Sequence, residues 1–592
     1  MSRTRFKYAR LLLMGRRFVR NDHLILMVLA LVVGCASGAA VVLFRECISL
    51  IQLAVYGTAD ERIASAARSL PWWHLVLAPA VGGLAVGLFV KHFMPDGSTQ
   101  GVADVIEAEA LRGARMSSRT GLKSIFASAM SIGAGASVGR EGPAVHLGAS
   151  LGSWLARRLH LTRPFKRTLL GCGVAAAVAA SFNAPLAGAL FANEVVIGHY
   201  ALKAFAPVVV ASVSGTAISR LYFGDFPAFA LIQHPIVSFW EFPAMIGLGI
   251  VAGVIAIVFM HWTVTAADLA KRVAIPDWVK PGVAGLGVGA MATMVPQVLG
   301  VGYGVTEEAM LSTFGFWTLL LILVCKIATT GLCIGWGFSG GVFSPSLVIG
   351  AVVGGAYGIL ATAVFPDLSS GVPAYTVVGM GAVAAAVLGA PISTTLIIFE
   401  MTSDYALTIS VMLAVVVSSE ISHQLYDRSF FVRQLRMRGI DLRAGLDAEV
   451  MQTITVNAVM QRDVATIGMA AGLVDMRRLL QTSQVGELFV IRDTGELHGT
   501  ITLADLSDFA FEHELDFLVN ACDVARPNPP TLTRYDDIET AISLMSQARE
   551  NIIPVVESAD DRTLVGAVTH DEAMTEFSRV LLARRREELG HD

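Results

Sequence analysis

Gly139-Arg140-Glu141-Gly142-Pro143 and Gly341-Val342-Phe343-Ser344-Pro345 are two Gly-x-x-x-Pro segments, each opening an apolar, glycine-studded run. A second motif repeats in the same order. Ala184-Pro185 followed by Glu194 returns as Ala390-Pro391 followed by Glu400, at the same internal spacing. Two motifs displaced together argue for a duplicated half. Transporters built from such halves often hold substrate at the repeat interface, on broken helices whose N-termini point inward.

The chemistry of the segments fits an anion. Inside a bilayer its hydration must be replaced by donors that do not hold it too tightly, and a helix N-terminus offers unpaired N–H groups with about half a unit of positive charge. Glycine lets backbone approach closely, and proline in a first turn costs no hydrogen bond. Glycine also serves plain helix packing in membranes, so either segment alone fits both readings. Acidic residues within the apolar runs add weight, because a charge at a membrane helix centre costs about 2.5–3.5 kcal/mol and usually faces a pathway or a partner. Glu141 lies inside its segment and could occupy the anion's place when ionised and leave it when protonated; its alternative is an ion pair with Arg140. Glu194 and Glu400 each follow an apolar run and are equally suited to a structural task at its end.

Working outward, the 592 residues are 54% hydrophobic and 16% charged, against roughly 25% charged in a soluble domain. Leu24 to Phe44 carries no charge and is long enough to cross a hydrocarbon core of about 30 Å. Further apolar runs lie near 74–90, 168–193, 203–219, 243–260, 314–325, 341–365 and 374–399. The expectation is an all-α polytopic membrane protein in contact with the lipid bilayer. The net charge of −4 gives no reason to expect nucleic acid. The six cysteines form no CxxC or Cys/His cluster, so neither a disulfide framework nor a metal site is expected. Val32-Val33-Gly34-Cys35 imitates a lipoprotein signal, but the apolar run continues past Cys35, which suits a first membrane helix. Basic residues crowd the first twenty positions and follow the last apolar run at Arg428, Arg433, Arg436 and Arg438. Positive flanks stay inside, so both termini are expected in the cytoplasm, with the chain in the cell (inner) membrane.

Beyond about residue 430 the composition changes to short apolar strands such as Leu488-Phe489-Val490-Ile491 mixed with charged helical segments, which reads as a soluble α/β unit. It too is internally repeated. Val456-Asn457-Ala458 returns as Val519-Asn520-Ala521, and Gly499-Thr500-Ile501-Thr502 with Asp505 returns as Gly566-Ala567-Val568-Thr569 with Glu572. The expected organisation is a basic segment over 1–20, a membrane domain over 21–440 and two tandem modules over 450–512 and 518–580.

Gly139-Arg140-Glu141-Gly142-Pro143 resembles the GREGP signature of CLC chloride channels and proton-coupled exchangers. Gly340-Gly341-Val342-Phe343-Ser344-Pro345 resembles that family's GGxFxP element, and Phe182-Asn183-Ala184-Pro185-Leu186-Ala187-Gly188 its FNAPLAG segment. The resemblance spans roughly residues 20–440. It implies an inverted-repeat helical fold with re-entrant helices, assembled as a homodimer with a pore for chloride or a similar small anion in each subunit. Carried over by position, Glu141 matches the gating glutamate, Val342 and Phe343 the residues whose N–H groups bind the central anion, and Tyr426 in Leu425-Tyr426-Asp427 the pore tyrosine. The family's pore serine falls on Gln100 when Gly101-Val102-Ala103-Asp104-Val105 is kept in register; aligning on Gly97-Ser98 restores a serine and loses that register. In Asn193-Glu194-Val195, Val195 falls where exchangers commonly carry an inner proton-accepting glutamate, so Glu194 and Val195 mark the possible proton path.

The repeated Gly-x-[Ile/Val]-Thr-x-x-[Asp/Glu] pattern resembles the end of a CBS motif, and a tandem pair folds as one cytoplasmic Bateman module. The resemblance implies either an adenosine-nucleotide site using Thr502, Asp505, Thr569 and Glu572, or a purely structural pair. Transport itself implies no required cofactor. The expected function is a passive, voltage- or pH-gated chloride channel, with an anion/proton antiporter as the alternative. A CBS-bearing divalent-cation channel is disfavoured, because the inward motifs are helix starts rather than acidic clusters. No HExxH pair, nucleophile elbow or P-loop is present, so an enzyme is not expected.

Overall fold

The computed structural model describes residues 22–60, 62–94, 97–198, 202–224, 239–440, 451, 454–483, 486–507, 516, 518–558 and 561–588. They belong to two compact units, residues 1–440 and 441–592. The first is helical. It opens with α1 (Asp22–Tyr56), α2 (Ile63–Ala67), α3 (Trp72–Phe93), α4 (Val102–Ala110), α5 (Ser118–Gly133) and α6 (Glu141–Arg158). Next come α7 (Arg163–Phe182), α8 (Pro185–Phe191) continued by a π-helical turn over Ala192–Ile197, α9 (Leu202–Phe223), α10 (Phe242–Arg272), α11 (Lys280–Ala292) and α12 (Tyr303–Met310). It closes with α13 (Phe316–Gly335), α14 (Phe343–Val364), α15 (Val372–Leu388), α16 (Pro391–Thr402), α17 (Tyr405–Leu425) and α18 (Phe430–Met437). Eight described helices are long and apolar enough to cross a membrane.

Two of the apolar runs are not single helices. The run over 168–193 breaks at Asn183, which takes φ +59°, and the run over 374–399 breaks at Gly389, with φ +68°. A left-handed residue cannot continue a right-handed helix, and the Ala-Pro that follows each break restarts one, with proline in its first turn. Both halves therefore spend one apolar run on a long helix followed by a shorter one. The halves also share a crossing. A Cβ on Gly173 would lie 1.9 Å from the Gly148 carbonyl oxygen, and one on Gly379 would lie 2.5 Å from that of Gly350, so α6–α7 and α14–α15 each approach to backbone contact.

The second unit begins with α19 (Val456–Val459), β1 (Thr466–Gly468), α20 (Leu473–Thr482), β2 (Glu487–Ile491) and β3 (Leu497–Thr502). It continues through α21 (Ala521–Val524), β4 (Arg526–Pro527), β5 (Leu532–Thr533), α22 (Ile538–Ala548), β6 (Ile552–Val556), β7 (Leu564–Thr569) and α23 (His570–Glu588). Its sheets run β1-β2-β3-β4 and β5-β6-β7. In each, a parallel pair precedes an antiparallel one. Val456 and Ala521 start equivalent short helices, and Gly499–Thr502 and Gly566–Thr569 end equivalent strands.

Candidate functional site

The two Gly-x-x-x-Pro segments meet. Gly139 N–H donates to the Gly341 carbonyl at 2.7 Å, and Gly341 N–H returns a bond to the Gly139 carbonyl at 2.8 Å. This exchange sets the starts of α6 and α14 side by side. The first-turn N–H groups of each helix have no partner within the helix and remain as donors.

Glu141 is the first residue of α6 and is fully buried. Its carboxylate reaches across to α14, where it accepts a hydrogen bond from Ser344 Oγ, and it accepts a second from Tyr303 Oη at 2.8 Å. Arg140 lies 3.7 Å from the same carboxylate, with its guanidinium 5.0 Å from the centroid of the Tyr303 ring. The carboxylate thus sits at the start of the second half's helix, held by two hydroxyl donors. Tyr303 and Ser344 have no assigned role in the sequence reading. The only sign of the first is Gly300-Val301-Gly302-Tyr303, a glycine-rich helix start.

The neighbours of Glu141 in the chain, Arg140 and Gly142, line two different cavities. One, of about 550 Å³, is lined by Arg45, Arg62, Arg140, Asn183, Tyr303 and Glu307, among others. The other, of about 80 Å³, is lined by Gln100, Gly142, Gly341, Val342, Phe343, Phe430 and Phe431, among others. Gln100, Val342 and Phe343 are therefore brought together. Ser98 does not line this cavity, while Gly101, whose N–H is bound by Asp104 at 2.7 Å, does. The Phe343 ring packs against Phe182 and Phe191, at centroid separations of 4.9 and 5.7 Å, which joins the second half's helix start to the first half's broken helix.

Tyr426 is not part of this group. It follows the last residue of α17, between the ring of His261 at 6.2 Å and the guanidinium of Arg433 at 5.5 Å. The chain turns over 426–429 before α18 starts, and Ser429 caps that helix by accepting the Val432 N–H at 3.2 Å. The turn carries Phe430 and Phe431, not the tyrosine, to the cavity.

Glu194 and Glu400 have a reciprocal arrangement. Glu194 accepts the Ile392 and Ser393 N–H groups of α16 at 3.0 and 2.8 Å, and Ser393 Oγ as well. Glu400 accepts the Leu186 and Ala187 N–H groups of α8 at 3.0 and 2.8 Å. Each carboxylate satisfies donors at the start of the other half's short helix. Val195, next to Glu194 in the π-helical turn, is apolar and half-buried. The acids of α4 are also engaged: Asp104 with Arg438 at 2.7 Å, Glu107 with Arg112 at 2.5 Å, and Glu109 with Arg167.

In the second unit, Asp505 Oδ2 accepts from Thr502 N and Oγ1 at 2.8 and 2.7 Å, while Oδ1 accepts from Arg526 Nε at 2.8 Å. Glu572 accepts from Thr569 Oγ1 at 3.0 Å and from Gln461 Nε2 at 2.5 Å. The same Thr–acid turn thus forms in both modules, with each acid already bonded within the unit. Among the described residues there is no cluster of three or more metal-ligating side chains.

A family model described as voltage gated chloride channel matches residues 82–423, and one described as CBS domain matches residues 456–512 and 521–579. Among curated proteins the chain is similar to a putative chloride channel protein ClcB-like from Ralstonia nicotianae. The two are 36% identical, over 69% of this chain and 96% of the relative. It is also similar to chloride channel protein CLC-f of Arabidopsis thaliana, at 27% identity over 95% of this chain and 81% of the relative. Among solved structures, a slow cyanobacterial Cl−/H+ antiporter matches with a TM-score of 0.64 at 24% identity, covering 70% of this chain and 97% of that one. A eukaryotic CLC transporter matches at 0.60 and 20% identity, covering 92% and 97%. At these identities the two structures speak for the fold.

Proposed function

Because the chain belongs to the voltage-gated chloride channel family and carries a tandem CBS pair, we propose that it conducts chloride or a similar small anion passively, through a pore opened by protonation of Glu141. Membership makes the protein an integral membrane anion transporter. The finer reading is carried by one observation: the buried Glu141 carboxylate rests on the Ser344 hydroxyl at the start of α14 and the Tyr303 hydroxyl at the start of α12. Ionised, it competes with an anion for those donors. Protonated, it loses its charge and its claim on them, and the anion takes its place. In this reading Gln100 and the Val342 and Phe343 N–H groups hold the anion on the other side of the gate.

Passive conduction is favoured over proton exchange by the fate of Glu194. Both of its oxygens are committed to the start of α16, and its neighbour Val195 cannot carry a proton. We further propose a homodimer with a pore in each subunit, placed in the cell membrane with both termini cytoplasmic. The tandem pair is proposed to take an adenosine nucleotide at its Thr–acid turns.

The test is chloride efflux from proteoliposomes as a function of pH. Flux should rise on acidification, and Glu141→Gln, which imitates the protonated gate, should be active and pH-independent. A pH profile that survives in the folded variant removes Glu141 from the gate. Steady uphill proton movement driven by a chloride gradient, abolished by the same substitution, would make the protein an antiporter.

A further inference from the structure

Lys326 lies inside α13, a 20-residue apolar helix long enough to cross a membrane, and is fully buried. A charge in that setting is costly and normally marks a partner or a pathway. Among the described residues no carboxylate pairs with it. Its Nζ donates instead to two main-chain carbonyls, Val298 at 3.1 Å and Gly300 at 3.0 Å.

Those carbonyls belong to the loop that leads into α12. Gly300 also donates its N–H to the Gly135 carbonyl at 3.2 Å, so the loop is held from two sides. Gly302 takes φ +97°, and a Cβ there would lie 2.9 Å from Val348 and 3.3 Å from Lys326 Nζ. The next residue is Tyr303, the first of α12, whose hydroxyl reaches Glu141 at 2.8 Å. A short segment of backbone is thus fastened by a buried ammonium at one end and delivers a hydroxyl to the carboxylate at the other.

We propose that Lys326 is a positioning residue for the gate: by clamping the 298–302 loop it keeps the Tyr303 hydroxyl on the Glu141 carboxylate, and so sets how much acid is needed to open the pore. The proposal rests on the reading of Glu141 as a protonatable gate. Glu141 is faced by Arg140 from the residue before it, Tyr303 from α12 and Ser344 from α14. Lys326 has the Cys333 thiol of its own helix as its titratable neighbour. Helices α10, α11 and α14, which pack against α13, bring no described carboxylate to ion-pair distance of it.

The experiment follows chloride efflux against pH for the full-length protein, Lys326→Met, Tyr303→Phe and the double variant. In Lys326→Met the pH of half-maximal flux should rise by about one unit, a tenfold weaker hold on the ionised carboxylate, and flux at neutral pH should increase. Tyr303→Phe should give the same shift, and the double variant no more than either. An unchanged midpoint in Lys326→Met overturns the proposal. So does a full further shift when it is added to Tyr303→Phe, or a uniform loss of flux at every pH, the mark of a lysine that only staples helices. Should Lys326→Met not fold, Lys326→Gln must show the shift in its place, and an unchanged midpoint in Tyr303→Phe alone is decisive against the clamp. If efflux from the unaltered protein does not depend on Glu141, the gate reading itself fails, and that result is visible before any Lys326 variant is made.

Discussion

Glu141 and Gln100 are the residues on which the proposed pore turns, one a buried carboxylate and the other an amide. Glu141 is a carboxylate at a membrane helix start, followed by Gly142, with Arg140, its alternative partner, 3.7 Å away. Gln100 precedes Gly101 and lines the small cavity with Val342 and Phe343. Its amide has no hydrogen-bond partner among the described residues, which leaves two N–H donors for an anion. Gln100→Ser, which exchanges those donors for one hydroxyl, should change the ratio of chloride to nitrate flux by a factor of a few; an unchanged ratio in liposomes would put position 100 outside the anion's path. Tyr426 lies outside that cavity's lining. A three-residue match places a tyrosine at the right distance along the chain, but position relative to a helix end decides where a side chain points. The end of α17 at Leu425 and the cap at Ser429 turn Phe430 and Phe431 inward. Tyr303 and Lys326 were illegible for a different reason. Their roles depend on contacts with Glu141 and with the 298–302 loop, across segments far apart in sequence.

At the scale of elements, apolar runs predict where helices lie better than where they stop. The breaks at Asn183 and Gly389 fall inside continuous apolar runs, and only the Ala-Pro after each one hints at a restart. The purpose of Glu194 and Glu400 appears once both short helices are in place. A carboxylate accepting two N–H groups at a helix start contributes as an N-cap and through the helix dipole. Leaving those donors unpaired costs about 1–3 kcal/mol. Glu400→Ala should therefore lower the melting temperature of the solubilised protein, by destabilising α8. Glu194→Gln, which keeps an acceptor at α16, should leave the pH dependence of chloride flux as it is; loss of that dependence would return Glu194 to the proton's route.

Taken whole, the molecule joins a membrane unit to a unit with its own response to pH. Glu487 in β2 is 5% exposed, and burial pushes its carboxyl up to about 7, with Glu550 and Asp505 adding to the effect and Thr500 and Arg526 opposing it. The folded unit therefore keeps a proton that the unfolded chain, with an ordinary glutamate, has already lost. Stability from this group is fully present below about 4.5 and falls as pH rises, until the penalty is complete just above 7. Asp505 works in the other direction: burial raises it, but hydrogen bonds from Thr502 and Arg526 win and hold it below its usual value, so its contribution is lost on acidification. Glu487→Gln in residues 441–592 should raise stability at alkaline pH by up to ~3 kcal/mol and change nothing in acid. A variant that melts with its parent at every pH would show that Glu487 ionises freely. The same melts with ATP, ADP or AMP test the proposed site at the Thr–acid turns, where Asp505 already accepts from Arg526; no rise in melting temperature with any of them leaves the pair a structural one.

The exchange of carboxylates between the halves makes each of them incomplete without the other. Within one copy of the repeat, the acid and the helix start it would satisfy lie on the same short stretch, the acid following its own helix, so the two cannot meet. Only a second copy, turned about a two-fold axis, supplies each with its mate, and the paired N–H···O bonds of Gly139 and Gly341 obey the same symmetry. Neither half is therefore self-sufficient: cut apart, each would leave a glutamate without its donors and a helix start without its acceptor.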